Sequence, residues 1–347
     1  MVNLQKNFIS FHDLIKLDYD DNSLLREYRD QIINGLKDFM DIDYSFSTFV
    51  QGSYSVFTGI KSSDENIDFD IDVGLAIEMS LDDCQNPITA KKWVRDAIQR
   101  TFPNAKITIK NPCITVNFSS DNNNEQVHVD IAVYAVENEN YYLARGKEYS
   151  SDENIEWEVA DPKELKDMIN NYSDSAEDRK QFRRCIRYLK RWKDNKFKQE
   201  NRPTGIGLTV LALEKFSPNK TIDWLENTTT YNDLKALHDF TSTLLNCFNN
   251  YEYDKTNKRW HYRIKADLPV KPYNDAFCKM TSNQMEDFKT KLDSLNSDLK
   301  FSIDTLDEHE ATKKLNKHFG DDFVVVDEET VVESSARNSF VSDYPSA

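Results

Sequence analysis

Acidic side chains alternate with apolar ones in the segment FDIDVGLAI, residues 69–77. A β-strand here would place Asp70 and Asp72 on one face and the apolar side chains on the other. Two ionised carboxylates on one face repel each other unless a cation or a basic partner lies between them. The spacing therefore indicates either a cation site or a solvent-exposed edge strand. Asp68 forms an overlapping pair of the same spacing, but Asp70 and Asp72 are preferred because the apolar alternation continues after them.

A third acid, Asp130, stands at an alternating position in VHVDIAVYA, residues 127–135. If this strand lies beside the strand of Asp70 and Asp72, the three carboxylates converge on one patch. Such a patch is the ligand set for two Mg²⁺ ions about 3.5–4 Å apart, with Mn²⁺ as an alternative metal. One ion would activate an attacking hydroxyl, and the other would hold a triphosphate and neutralise the leaving pyrophosphate. His128, in the same strand, is a candidate for an additional role or is a structural residue.

Gly52 and Ser53 lie between an apolar, strand-like segment and what could be a short helix. A glycine at such a point lets backbone amides approach an anion, and a serine hydroxyl can donate to a phosphate oxygen. The pair taken alone is equally typical of an ordinary turn. The pair is a candidate phosphate-binding turn because it lies shortly before the acidic strand.

The helix predicted after Ser175 is rich in cations but keeps an apolar stripe. Its basic residues are Arg179, Lys180, Arg183, Arg184, Arg187, Lys190, Arg191, Lys193, Lys196 and Lys198. Such a run is often a solvated helix face, but in an acidic protein it also suggests a wall facing phosphates. Thr204 follows, where it could cap the next helix and offer its hydroxyl and nearby amides to phosphate.

The acidic strands belong to a predicted α+β region. Amphipathic helices are expected at residues 4–15, 22–39 and 88–101, and short strands in FDIDVGLAI, AKITIK, CITVNF and VHVDIAVYA. Helices dominate from Asp161 onward and are expected near residues 176–198, 205–216, 231–248, 282–295 and 307–318. We therefore predict two lobes, with a helix and a mixed sheet in residues 1–160 and a helical lobe in residues 161–325. The polar stretch 326–347 is predicted to be a mobile tail.

The overall composition narrows the function classes. The formal net charge of −16 argues against a surface built for duplex DNA or an anionic membrane, so an anionic ligand needs a locally basic pocket. The five cysteines are far apart and form no CxxC pair, which predicts neither a disulfide framework nor a zinc cluster. The chain contains neither a signal-peptide pattern nor an apolar run of about 18 residues. We therefore expect a cytoplasmic protein.

The order of these parts resembles the DNA polymerase β-like nucleotidyltransferase superfamily. Within it, QGSYS, FDIDVGL and VHVDIAVY look most similar to the CD-NTases, the family of DncV-like relatives of cyclic GMP-AMP synthase and oligoadenylate synthase. The resemblance spans about residues 45–275. It implies a cytoplasmic enzyme of CBASS anti-phage defence that joins NTPs into a cyclic or linear oligonucleotide second messenger, with accessory proteins of the same operon as partners.

The resemblance also implies residue roles. Gln51, Gly52 and Ser53 would contact donor phosphates, and the three acids would bind Mg²⁺. The lysine of the helical lobe and the hydroxyl residue opening the next helix best match Lys190 and Thr204, although relatives often have serine at the latter position. The segment ADLPVKPYND, with Asp267 and Asn274, falls where relatives have a DP-x-x-P-x-N stretch near the base pockets, but its Asp-Leu-Pro form departs from that pattern.

Two other functions use the same acids or the same fold. A template-independent RNA-tailing enzyme, or a nucleotidyltransferase that modifies a small target or a protein, would need the same three carboxylates. A catalytically silent nucleotide-binding scaffold is the third class, and the intact acids argue against it. The chain has no His and Cys cluster matching the zinc insertion of the vertebrate sensor, so direct activation by long duplex DNA is not expected.

Overall fold

The computed structural model describes residues 2–17, 23–61, 68–119 and 126–328, with the backbone alone at residues 23–25, 68–70, 119 and 126–127. The chain divides into two compact units. The sheet unit takes its described residues from 16–174 and 267–275, and the helical unit takes them from 1–15, 175–266 and 276–347.

The described elements have the following bounds. The helices are α1 (Gln5–Ile15), α2 (Ser23–Phe39), α3 (Gly52–Ser55), α4 (Pro87–Thr101), α5 (Pro162–Asn170), α6 (Ala176–Lys196), α7 (Gly205–Lys215), α8 (Asp233–Asn246), α9 (Ser282–Asp304) and α10 (Glu308–Phe319). The strands are β1 (Phe46–Val50), β2 (Asp68–Glu78), β3 (Lys106–Ile109), β4 (Ile114–Ser119), β5 (Gln126–Glu137), β6 (Asn140–Arg145), β7 (Glu156–Ala160), β8 (Lys220–Asp223), β9 (Thr228–Tyr231), β10 (Asn249–Asp254) and β11 (Arg259–Arg263).

A seven-stranded mixed sheet organises the sheet unit. Its main path runs β1-β2-β5-β4-β3, and β6 extends from β5 and carries β7. The central pair, β2 and β5, is parallel, and the pairs that flank it are antiparallel. The expectation of a small mixed sheet carrying the acidic strands is therefore confirmed.

One face of this sheet forms the apolar core beneath α2 and α4. The alternation seen in the sequence decides which side chains enter it, because successive residues of a strand point to opposite faces. The buried side chains that β2, β4 and β5 contribute are Ile71, Val73, Leu75, Ile77, Ile114, Val116, Phe118, Val129, Ile131, Val133 and Ala135. The residues between them, including Asp72 and Asp130, are left for the opposite face.

A fully buried lysine fixes the turn between β3 and β4. Nζ of Lys91, in α4, donates to the carbonyl oxygens of Lys110 at 2.9 Å, Asn111 at 2.5 Å and Gly146 at 3.0 Å. Burial lowers the pKa of Lys91 to about 8. The three carbonyls favour the ammonium form, because only that form has three N–H donors. Lys91 therefore ties α4 to the turn that leads into β4 and to the end of β6.

The helical unit is built around α6, whose apolar stripe is buried as predicted. The rings of Phe8 and Phe11, in α1, lie 5.2 and 5.3 Å from the ring of Tyr188 in α6. Arg184 donates two hydrogen bonds to Asp233, at 2.6 and 2.8 Å. Burial alone would raise the pKa of Asp233, but the hydrogen bonds and charge of Arg184 lower it below its ordinary value.

The predicted helices are found with shifts of a few residues, except that α9 continues to Asp304, nine residues beyond the predicted end at residue 295. The division of the chain differs from the boundary predicted after residue 160. Residues 2–15 belong to the helical unit because α1 packs on α6. Helix α5 belongs to the sheet unit, where Asn170 donates to the carbonyl oxygen of Ser55 at 3.2 Å. Within the described residues, no helix has the length and apolar composition needed to cross a membrane. Most of the predicted tail, residues 329–347, lies outside the described residues.

Candidate active site

Asp72 and Asp130 are direct neighbours across the central parallel pair of strands. The register pairs Asp72 with Asp130 and, two residues earlier, Asp70 with His128. The side chains of Asp72 and Asp130 are both half-buried. The structure describes the backbone of Asp70 but not its side chain. Two of the three predicted acids are therefore brought together on the face opposite the core, and the third precedes Asp72 by two residues on the same strand.

Gly52 lies against the carboxylate of Asp72. The amide of Gln51 donates to the carbonyl oxygen of Asp72 at 3.1 Å, which joins the start of α3 to β2. Gly52 has a φ of +68°, and a Cβ atom placed on it would lie 1.7 Å from Oδ2 of Asp72. A side chain at this position would therefore occupy the space of the carboxylate. Ser53 follows as a half-buried residue whose carbonyl oxygen accepts from the amide of Thr58 at 2.9 Å.

Asp130 is held from its other side by β4. Thr115 is the register partner of Asp130 in the antiparallel β4–β5 pair, and its hydroxyl donates to Oδ1 of Asp130 at 2.5 Å. Sγ of Cys113 lies 3.9 Å from the same hydroxyl. Burial and the charge of Asp130 raise the pKa of Cys113 to about 12, so this residue is a thiol at neutral pH and not a nucleophile.

Gln51 is anchored by a tyrosine of β5. The hydroxyl of Tyr134 donates to Oε1 of Gln51 at 3.0 Å. Burial raises the pKa of Tyr134 above its ordinary value, so the hydroxyl keeps its proton. The carbonyl oxygen of the Gln51 side chain is therefore engaged within the protein, and its amide nitrogen is not used by this bond.

The acids fit a divalent cation of the Mg²⁺ type. Asp72 and Asp130 supply hard oxygen donors, which are the ligands that Mg²⁺ takes in proteins. Because Gly52 has no Cβ atom, the carboxylate of Asp72 can occupy the space beside it. Among the side chains that the structure describes, no group of three or more His, Cys, Asp and Glu residues is arranged as a metal cluster, and the side chain of Asp70 is outside that set.

Lys190 and Thr204, the predicted phosphate contacts of the second lobe, are near each other within the helical unit. Cε of Lys190 lies 3.6 Å from the position that a Cβ atom on Gly205 would take, at the first residue of α7. Thr204 is the N-cap of α7, where its hydroxyl accepts from the amide of Gly207 at 3.2 Å. The capping role predicted for Thr204 is confirmed, and the phosphate roles of both residues stay predictions.

Several cations of α6 have partners inside the helical unit. Arg184 binds Asp233, Nε of Arg191 lies 3.2 Å from a carboxylate oxygen of Asp322, and a guanidinium nitrogen of Arg187 lies 2.9 Å from Nε2 of His12. The sequence offered two interpretations of this basic run, a solvated face or a phosphate wall. Neither describes these three arginines, which are structural.

Sequence reasoning missed Thr115 and Tyr134. Both stand at alternating positions of predicted strands, CITVNF and VHVDIAVYA, where threonine and tyrosine are common for their strand propensity alone. The sequence signal that could have found them is the alternation of the strands, which places both residues on the same sheet face as the acids. His128 lies opposite Asp70 and Asn117 in register. The segment 267–275, proposed from its Asp267 and Asn274, belongs to the sheet unit.

Comparison with known proteins shows that the chain is similar to nucleotidyltransferases. Residues 47–134 match the family model described as "Cyclic GMP-AMP synthase DncV-like, nucleotidyltransferase domain". A cyclic GMP-AMP synthase of Escherichia albertii is 30% identical over 165 residues, which are 45% of this chain and 33% of that relative. The aligned part therefore spans one third of the relative's length.

Solved structures show the same fold along nearly the whole chain. The crystal structure of Vibrio cholerae DncV cyclic AMP-GMP synthase aligns with a TM-score of 0.66 at 16% identity and covers 94% of this chain and 98% of that chain. The structure of E. coli MS115-1 CdnC with ATP aligns with a TM-score of 0.64 at 19% identity and covers 93% and 99%. The predicted α+β, polymerase β-like fold is confirmed by these likenesses.

Proposed function

We propose that this chain is a nucleotidyltransferase of the CD-NTase family and that it condenses NTPs into a cyclic oligonucleotide second messenger in a Mg²⁺-dependent reaction, as its similarity to the DncV-like family supports. The reaction would take place in the cytoplasm and serve CBASS anti-phage defence. The names of its relatives, a cyclic GMP-AMP synthase and a cyclic AMP-GMP synthase, make ATP and GTP the first substrates to test.

The register of Asp72 against Asp130 is the observation that carries the proposal. A parallel pair of strands aligns two carboxylates that are far apart in sequence, on the face that the apolar core does not use. Repulsion between two such carboxylates costs free energy unless a cation or a hydrogen-bond donor compensates for it. The arrangement is therefore one that a divalent cation would stabilise.

In this proposal Asp70, Asp72 and Asp130 hold the cations. When bound, the cations would supply Lewis-acid activation of an attacking hydroxyl and neutralise charge on the leaving pyrophosphate, so the protein needs no covalent nucleophile. Gln51, Gly52 and Ser53 would orient the phosphates of the donor nucleotide. Gln51 would do so through its amide nitrogen, since its oxygen accepts from Tyr134. The raised pKa of the Cys113 thiol supports a mechanism without a cysteine nucleophile.

The test is product analysis with four labelled NTPs and Mg²⁺. We expect a product that resists phosphatase, identified by chromatography and mass spectrometry, from the wild-type protein. Asp72→Asn combined with Asp130→Asn should abolish it while the thermal unfolding midpoint changes little. Asp82→Asn is the matched control, because Asp82 is an exposed acid in the turn after β2 and should leave the product yield unchanged.

The same assay separates the alternatives. Extension of an added RNA without formation of a phosphatase-resistant product would favour RNA tailing, and transfer of a nucleotide to an added small acceptor or protein would favour target modification. Undiminished synthesis by the double variant would reject the assignment of the acids. Absence of any nucleotide transfer, together with absence of Mn²⁺ binding, would favour a silent scaffold.

A further inference from the structure

Thr115 occupies a distinctive place beside the acids. Asp130 has a register partner on each side, Asp72 in β2 and Thr115 in β4. The three side chains form a row across three adjacent strands, on the face opposite the apolar core. Thr115 is 2% exposed, so its hydroxyl has little access to water.

The hydrogen bond from Thr115 determines how Asp130 can turn. A carboxylate has two oxygens that can accept, and Oδ1 of Asp130 accepts from the Thr115 hydroxyl. That bond restrains the rotation of the carboxylate, to which the Cys113 thiol is a second hydrogen-bond partner. The turn before Thr115 is itself held in place, because Lys91 binds the carbonyl oxygens of Lys110 and Asn111.

We propose that Thr115 is a positioning residue that holds the Asp130 carboxylate in the orientation needed to bind the divalent cation. The inference rests on the proposed function. It adds a role for a residue outside the metal ligands. The partners that orient metal ligands by hydrogen bonds generally contribute about 10–100-fold in metal affinity.

A purely structural role for Thr115 makes the opposite prediction. Valine has nearly the shape of threonine and a high strand propensity, so a structural strand residue at a buried position tolerates it well. Serine keeps the hydroxyl and loses only the methyl group. The pair Thr115→Val and Thr115→Ser therefore separates the hydroxyl from the packing.

The experiment measures Mn²⁺ binding by electron paramagnetic resonance, together with the thermal unfolding midpoint and product formation. We expect Thr115→Val to bind Mn²⁺ at least about 10-fold more weakly than wild type and to need correspondingly more metal for half-maximal activity. Thr115→Ser should restore most of the affinity. Thr108→Val is the matched control, because Thr108 is the exposed register partner of Thr115 in β3 and does not contact the acid.

Each outcome decides the inference. The inference is overturned if Thr115→Val binds Mn²⁺ as tightly as the wild type and Thr108→Val do, even if Thr115→Val is less active. If Thr115→Val fails to fold, Thr115→Ser and Thr115→Ala decide. A hydroxyl role requires serine to bind Mn²⁺ more tightly than alanine, and equal affinity of these two would reject it. Absence of Mn²⁺ binding and of product in the wild-type protein would reject the proposed function instead.

Discussion

Replacement of Gly52 by alanine should separate the geometry of the acids from the stability of the fold. The φ of Gly52 is +68°, and a Cβ atom there would lie 1.7 Å from Oδ2 of Asp72. Ordinary contact distances between such atoms begin near 3.4 Å. The carboxylate of Asp72, the backbone of α3, or both must therefore move by more than an ångström.

The two consequences have different magnitudes. A left-handed φ costs a residue with a Cβ atom about 1–2 kcal/mol. In a unit of this size, each kcal/mol lowers the unfolding midpoint by about 2–4 °C. A displacement of about 1 Å at a catalytic group, by contrast, can reduce the rate about 100-fold. Gly52→Ala should therefore unfold only about 2–8 °C lower but lose at least about 99% of its activity.

Gly320→Ala is the matched control for the backbone cost. Gly320 has a φ of +78°, and the nearest atom to a Cβ placed on it is Oδ1 of Asn195 at 3.4 Å, an ordinary contact. It lies in the helical unit, after α10. The control should lose a similar amount of thermal stability as Gly52→Ala and keep its activity and its affinity for Mn²⁺.

The assays are differential scanning fluorimetry, Mn²⁺ titration and initial rates of product formation at saturating NTP. The reasoning is refuted if Gly52→Ala retains more than about one tenth of the wild-type rate with unchanged Mn²⁺ affinity. That result would mean that the carboxylate of Asp72 can move without chemical consequence. Equal losses of activity in Gly52→Ala and Gly320→Ala would mean that instability alone explains the effect.

Two further predictions concern the helical unit. Burial and the charge of Arg187 lower the pKa of His12 from 6.5 to about 4, so between these values only the unfolded chain takes up the proton. The contribution of His12 to the free energy of unfolding is fully present above pH 6.5 and should fall by about 2 kcal/mol by pH 5. In urea titrations, His12→Gln should remove this pH dependence. Lys190→Ala should raise the KM for NTP about 10-fold or more with a smaller change in kcat, while Lys198→Ala, at an exposed lysine beyond α6, should have wild-type kinetics.

The helices were the most predictable part of the fold. Apolar periodicity located α2, α4 and α6 to within a few residues, because a helix is determined by local spacing and local caps. The hairpins β8–β9 and β10–β11 were missed. Their side chains are mostly exposed, so the apolar alternation that indicates a strand is absent from them.

The pairing of Asp72 with Asp130 could be predicted from the sequence only on the assumption that their two strands are neighbours in the sheet. The alternation in each strand places the acids on the face away from the core, and this part of the reasoning needs no structure. That β2 and β5 are neighbours is a non-local fact, because β3 and β4 lie between them in sequence. The contribution of Thr115 was invisible for the same reason, since it depends on β4 lying on the other side of β5.

The glycines of the two motifs leave room for side chains of neighbouring segments. Gly52 of QGSYS leaves room for the carboxylate of Asp72. Gly74 of FDIDVGL pairs with Phe49 in the β1–β2 register, and a Cβ on Gly74 would lie 2.3 Å from the Phe49 ring. Gly52 thus leaves room for a charged side chain of the other motif, and Gly74 leaves room for the ring of Phe49, two residues before QGSYS. This complementarity explains why the two motifs are far more informative together than apart, since a chance Gly-Ser pair has no reason to be matched by a glycine two residues after a distant aspartate.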